Sequence, residues 1–183
     1  MLSDKELVQV SKLMSLALRH QPEVMGLSLD KEGWVEVQSL LSGLHSKGFL
    51  VDKEQLELLV ATNSKKRFAF NEDHTRIRAS QGHSLEVDLQ LEPKQPPALL
   101  FHGTAEKNRA SILMQGLQKQ SRQQVHLSSD RETARTVGSR HGRPIVLEVA
   151  AAAMQEKGYV FYRSANGVWL TDHVPAEYIV FPQ

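Results

Sequence analysis

The sequence contains no cysteine. Disulfides, thiolate catalysis and cysteine-ligated zinc are therefore excluded, and a reducing cytoplasm is the natural setting. Long apolar runs are missing too. Stretches such as Pro97–Phe101 fall far short of the ~20 residues that cross a bilayer, so no membrane association is expected. Met1-Leu2-Ser3-Asp4-Lys5-Glu6 lacks a basic segment followed by an apolar core, so no signal peptide is expected. No excess of either charge exists: 22 Lys+Arg stand against 21 Asp+Glu in 183 residues, which excludes a long disordered polyelectrolyte. The common nucleotide fingerprints are absent. There is no Gly-x-Gly-x-x-Gly after a strand and no Gly-x4-Gly-Lys-Ser/Thr, so any nucleotide must be bound another way. Without His-Glu-x-x-His, eight scattered histidines give no reason to expect a metal.

Charge is present locally. Residues 1–92 hold 11 basic and 14 acidic side chains, and residues 93–183 hold 11 and 7. Within these halves, Lys65, Lys66, Arg67, Arg76 and Arg78 face only Glu72 and Asp73 in the nearby sequence. Lys119, Arg122, Arg131, Arg135, Arg140 and Arg143 face only Asp130 and Glu132. Such clusters suit phosphate-rich ligands, although charge runs are more often solvated faces.

Local patterning divides the chain in two. Ser3-x-x-Glu6 is a capping box followed by Leu7, Val10, Met14 and Ala17/Leu18 at helical spacing. That helix should stop near His20, because Pro22 disfavours helical backbone at Gln21. Val37–Leu44 predicts a second helix, and Asp52-x-x-Gln55 starts a third carrying Leu56, Leu59 and Val60. Alternation in Arg67–Phe70, a turn at Asn71–Thr75 and a return at Arg76–Arg78 predict a hairpin. Three helices and a hairpin describe a small winged-helix-like module. Composition shifts at Ser80–Ser84 and at Pro93, Pro96 and Pro97, placing a boundary near residue 92. Beyond it, short strands are expected at Leu99–Phe101, Val125–Leu127, Ile145–Val149, Tyr159–Tyr162, Val168–Thr171 and Tyr178–Phe181, with a hairpin turn at Asn166-Gly167. Helices are expected at Asn108–Gln115, closed by Gly116, and Arg131–Val137, closed by Gly138. The fold class expected is α+β.

A set of strings carries the chemistry. The first helix reads Ser11-Lys12-Leu13-Met14-Ser15-Leu16-Ala17-Leu18-Arg19-His20-Gln21-Pro22, with Gly26-Leu27 and Asp30-x-x-Gly33-Trp34 after it. Lys65-Lys66-Arg67-Phe68 and Arg78-Ala79-Ser80-Gln81-Gly82-His83-Ser84 follow. The second half holds His102-Gly103-Thr104, Gly116-Leu117, Arg122-x-x-Val125-His126-Leu127-Ser128, Arg140-His141-Gly142-x-Pro144 and Asn166-Gly167-Val168-Trp169-Leu170-Thr171. In this order and spacing, over about residues 7 to 181, the chain resembles the RNA (tRNA) 2′-phosphotransferase family, which uses NAD+ to remove a 2′-phosphate from RNA.

That resemblance implies a winged-helix-like lobe over residues 1–92 that holds RNA, and an ADP-ribosyltransferase-like lobe over 93–183 that binds NAD+, with the active site between them. It implies Arg19, His20, Arg67 and Arg122 as the catalytic set. It implies NAD+ contacts at His102, Gly103, Thr104, Ile112, Gly116, His126, Ser128 and Val168, the family's His-His-Val triad being His102, His126 and Val168. NAD+ would be consumed as a co-substrate, and the partner would be RNA bearing an internal 2′-phosphate, as arises in RNA processing such as tRNA splicing. A monomer is expected. One departure is local: Ser121-Arg122-Gln123-Gln124 replaces the Arg-x-His pattern often found in that loop.

The residue chemistry is consistent with this. A phosphate dianion is already a competent nucleophile toward the ribose C1″ of NAD+, so the site needs arginines rather than a carboxylate base. Arg is permanently charged, and its fork of donors matches phosphate geometry. In a second step the ribose O2″ attacks phosphorus, expelling the RNA 2′-oxygen and leaving ADP-ribose 1″,2″-cyclic phosphate. His20 hydrogen-bonds the phosphate or protonates the leaving oxygen; the sequence leaves both roles open. Each residue has a plainer reading, since Arg19-His20 suits a helix C-terminus and lone histidines commonly sit satisfied in cores. Two rivals differ in class. A protein-modifying ADP-ribosyltransferase would commonly carry Glu where Val168 stands. A non-enzymatic winged-helix nucleic-acid-binding protein would be expected to have a basic first half, which this chain lacks.

Overall fold

The computed structural model describes residues 2–183. The Ser3 hydroxyl accepts from the Glu6 backbone, and the Glu6 carboxylate takes the Ser3 N–H at 2.8 Å. This capping box starts α1 (Asp4–Arg19), whose buried stripe is Val10, Met14, Ala17 and Leu18. The helix stops at His20, ahead of a single 3-10 turn, Pro22–Met25, that opens on proline. A short strand β1 (Val35–Glu36) leads into α2 (Val37–Ser46). A second capping box, Asp52 with Gln55, starts α3 (Lys53–Thr62). The hairpin β2 (Phe68–Phe70) and β3 (Arg76–Ala79) completes the unit. Its sheet runs β1-β3-β2, antiparallel throughout, with Ile77 opposite both Val35 and Phe70. The helices and hairpin lie where patterning places them. The addition is β1, two residues long and too short to show a period.

The chain divides into two units, Met1–Gln90 and Leu91–Gln183, each with its own core. The second unit begins with β4 (Leu100–Ala105), then a 3-10 turn at Glu106–Asn108, α4 (Arg109–Gln115) and β5 (Leu117–Gln118). Next come β6 (Val125–Leu127), α5 (Arg131–Gly138), β7 (Pro144–Val149) and α6 (Ala151–Glu156). The chain finishes with β8 (Tyr162–Arg163), β9 (Trp169–Thr171), β10 (His173–Val174) and β11 (Ile179–Val180). Three antiparallel sheets result: β11-β7-β4, β6-β9-β8 and the pair β10-β5. A bridge between Phe101 and Ser128 ties the first sheet to the second. Both units mix helices with small antiparallel sheets, so the chain is α+β. Among the described residues, no helix is long and apolar enough to cross a membrane.

Several local expectations change in this unit. The first strand runs on through His102, Gly103 and Thr104 rather than ending at Phe101, because all three pair with β7. Of Tyr159–Tyr162 only Tyr162 is in a strand. The Ala-rich stretch forms α6, too short to show helical periodicity. The Asn166-Gly167 turn belongs to a longer loop: the Ser164 N–H donates to the Val168 carbonyl at 2.8 Å, and Gly167 takes the left-handed position at φ 84°. Gly138 does not cap α5. It is helical, at φ −62°.

Candidate functional site

In the first unit, one segment gathers three of the four expected catalytic residues. Arg19 and His20 stand at the C-terminus of α1, where the outgoing carbonyls favour cations. Arg67 immediately precedes β2. Residues 80–84 bond to all three. The Ser80 N–H donates to the Arg67 carbonyl at 2.9 Å, and the Ser84 N–H to the Arg19 carbonyl at 3.0 Å. Arg19 Nη2 donates to Gln81 Oε1 at 3.4 Å, while the Arg19 side chain lies over Gly82. Gly82 is left-handed at φ 87°, a conformation that suits glycine. Ser84 Oγ meets His20 Nδ1 at 2.9 Å. Beneath them lies His83, 2% exposed, neither of whose ring nitrogens has a hydrogen-bond partner. Burial, then the charges of Arg19 and Arg78, push its pKa down to about 4, so it stays neutral beneath the cationic pair.

The basic neighbours named from sequence are more committed than they looked. Arg78 lies over the Trp34 ring at 4.3 Å and donates to the Glu32 carbonyl, and Arg76 pairs with Asp30 at 3.4 Å. In the second unit Arg131 forms an ion pair with Glu148 and lies over Phe101. These partners lie outside the stretches that hold the clusters, so the local excess of basic residues overstates how much free charge they carry.

The second unit brings His102, His126, Ser128 and Arg122 together. His102 in β4 donates from Nδ1 to the His126 carbonyl at 2.9 Å, and Ser128 exchanges backbone bonds with Phe101. Burial, only partly offset by that bond, lowers the His102 pKa, and Arg122 lowers it further. His102 is therefore neutral, with Nε2 as an acceptor. Arg122 lies in the loop before β6 and donates from Nη1 to His126 Nδ1 at 3.0 Å. Its guanidinium pKa is lowered by desolvation first and by Arg140 second.

Other residues named from the resemblance have structural work of their own. A Cβ on Gly103 would fall 1.5 Å from the Ala134 carbonyl oxygen, so the glycine lets β4 lie directly on α5. Gly138 faces it from the helix and would meet the Thr104 backbone at 2.9 Å. Thr104 is 8% exposed and its hydroxyl accepts from Asn108. Gly116 ends α4 at φ 71°, against the Val174 carbonyl. Ile112 is in the core. Val168 is half-buried and bonds through its backbone to Ser164. Among the described residues no group of three or more His, Cys, Asp or Glu could hold a metal ion. The roles of Ser80, Gln81 and Ser84 were not assigned from sequence. The string stands out in the sequence, but the pairings of Gln81 with Arg19 and of Ser84 with His20, each more than 60 positions apart, have no local signature.

Comparison with known proteins agrees over nearly the full length. Residues 5–173 match the family described as RNA 2′-phosphotransferase, Tpt1 / KptA family. A protein of Trichormus variabilis named "Probable RNA 2′-phosphotransferase" is 54% identical over 172 residues, 94% of each chain. A namesake from Rhodopirellula baltica is 50% identical over 183 residues, covering both chains completely. Another, from Streptomyces coelicolor, is 53% identical across 96% of this chain and 95% of its own. The chain belongs to the RNA 2′-phosphotransferase, Tpt1 / KptA family.

Proposed function

We propose that this chain removes a 2′-phosphate from RNA by transferring it to NAD+, in the cytoplasm. The observation that carries the reading is the binding of Arg19, His20 and Arg67 to the single segment 80–84. The Arg19 guanidinium and the His20 imidazole are held through their side chains and Arg67 through its backbone carbonyl. Two arginines and an imidazole on one segment suit phosphate, which guanidiniums match with paired donors. In this reading the first unit is the winged-helix-like lobe and takes the RNA. Its order of helix, strand, two helices and a hairpin, with β1 added to the hairpin, supports that assignment. The second unit is the ADP-ribosyltransferase-like lobe and takes NAD+ as co-substrate. The acceptor at His102 Nε2 fits a ribose hydroxyl.

The chemistry has two steps. A 2′-phosphate oxygen bonds to C1″ as the C1″–nitrogen bond breaks, its electron pair leaving with nicotinamide. This gives a 2′-phospho-ADP-ribosylated RNA. The ribose O2″ then gives up its proton and bonds to phosphorus, the bond to the RNA 2′-oxygen breaks, and that oxygen takes a proton, so the step is neutral in protons overall. The products are 2′-hydroxyl RNA and ADP-ribose 1″,2″-cyclic phosphate. Arg19 and Arg67 hold the phosphoryl oxygens, where charge accumulates in the second transition state, and His20 protonates the leaving oxygen. Arg122 orients the phosphate for the first step.

Interactions that strengthen only in one transition state change the rate of that step. In rapid-quench gels, Arg19→Ala, His20→Ala and Arg67→Ala should accumulate the phospho-ADP-ribosylated RNA, whereas Arg122→Ala should slow its formation. Accumulation in the Arg122 variant alone would reverse these roles.

A further inference from the structure

Arg122 stands in an exposed loop, and an exposed arginine loses much rotamer freedom when held in one geometry. The loop supplies few constraints of its own. It has a backbone turn from the Arg122 N–H to the Lys119 carbonyl at 3.0 Å, with Gln120 left-handed at φ 53°. The side chain is instead tied to a strand. Arg122 Nη1 lies 3.0 Å from Nδ1 of His126, and His126 is in β6, paired with Leu170 of β9.

The chemistry of this bond has one solution. A guanidinium has no lone pair to offer and can only donate. Nδ1 of His126 must therefore be the unprotonated nitrogen, which places the imidazole proton on Nε2. The two neighbouring histidines are thus opposite tautomers. His102 carries its proton on Nδ1, where it donates to the His126 carbonyl; His126 carries its proton on Nε2. The His102 ring, the His126 backbone and ring, and Arg122 form one hydrogen-bonded series of three residues.

We propose that His126, beyond any contact with NAD+, is the positioning residue for Arg122: it accepts from the guanidinium at Nδ1 and holds it where the 2′-phosphate is oriented. This rests on the functional reading above and adds to it. The residue expected to serve the dinucleotide also sets the arginine that serves the phosphate. A displaced or protonated His126 would then release Arg122, so defects at this histidine should appear in the phosphate-dependent rate as well as in NAD+ affinity.

Two measurements test this. The first needs no activity: long-range 1H–15N correlation spectra of the imidazoles in the unliganded chain. His126 should appear as the Nε2–H tautomer, with an unprotonated Nδ1 whose 15N shift moves when Arg122→Ala removes its donor. A His126 found protonated on Nδ1, or unchanged in Arg122→Ala, overturns the proposal. The second is a double-mutant cycle on nicotinamide release at saturating NAD+ with a short 2′-phosphorylated RNA. If His126 acts through Arg122, His126→Ala should lower the rate by about tenfold or more, and the double variant should be no slower than Arg122→Ala alone. His126→Asn, which puts an amide oxygen near the place of Nδ1, should recover most of the loss. Multiplicative effects, or a change confined to the KM for NAD+, would make His126 a dinucleotide contact only. If the unmodified chain shows no RNA-dependent NAD+ consumption, the functional reading fails, and the tautomer spectra still decide the link between the two residues.

Discussion

Gly103 offers a direct way to separate two reasons for a glycine. Close approach of a bound dinucleotide would be one. The structure supplies another: an alanine Cβ would lie 1.5 Å from the Ala134 oxygen, 2.4 Å from its carbonyl carbon and 2.9 Å from the Gly138 nitrogen. All three are backbone atoms of α5, so no side chain can turn aside, and the helix must move off β4 by a large fraction of a methyl diameter. Overpacking in a core costs about 1–3 kcal/mol, occasionally more. With backbone facing backbone, Gly103→Ala should fall at or above about 3 kcal/mol. For a domain of 60–100 residues each kcal/mol lowers Tm by roughly 4–8 °C, so a fall of about 12 °C or more is expected in a far-UV circular dichroism melt. A variant melting within about 4 °C of the parent, with impaired use of NAD+, would refute the packing argument and return the glycine to the ligand.

Three further outcomes follow from the first unit. Ser84→Ala removes the hydroxyl at His20 Nδ1; turnover should fall about tenfold while stability changes by no more than about 1 kcal/mol, as for a single exposed hydrogen bond, and unaltered turnover would show that the serine does not position the imidazole. His83 titrates near 6.5 when unfolded and at about 4 when folded, so the unfolded chain binds more protons between those values and stability should rise with pH across that window, levelling off above it. That difference corresponds to at most about 3 kcal/mol; His83→Met should flatten the dependence of urea midpoints between pH 4 and 6.5, and an identical slope would exclude His83 as its source. Ser3→Ala breaks the capping box of α1 and should cost about 1 kcal/mol in urea unfolding, with no effect on turnover.

These expectations also show what a single sequence can carry. The starts of α1 and α3 were legible because Ser3 with Glu6 and Asp52 with Gln55 are three residues apart. The end of α1 was legible from Pro22. The arginines and histidines could be named from their strings, but not the groups that hold them. Ser84 meets His20 across 64 residues, and Arg131 finds Glu148 on another element. Gly103 reads as a turn until α5 is known to lie on it. Arg122 and His126 are four apart outside any helix, a spacing that predicts contact only once the loop's backbone turn is known.

In the proposed reaction the 2′-phosphate and NAD+ are consumed together. A short RNA with one internal 2′-phosphate should be incubated with the full chain, with and without NAD+, beside its 2′-hydroxyl counterpart, and the products identified by mass. 2′-Hydroxyl RNA, nicotinamide and ADP-ribose 1″,2″-cyclic phosphate should form in equal amounts, and only when both phosphorylated RNA and NAD+ are present. Equal NAD+ turnover with the 2′-hydroxyl RNA, or phosphate loss without NAD+, would contradict it.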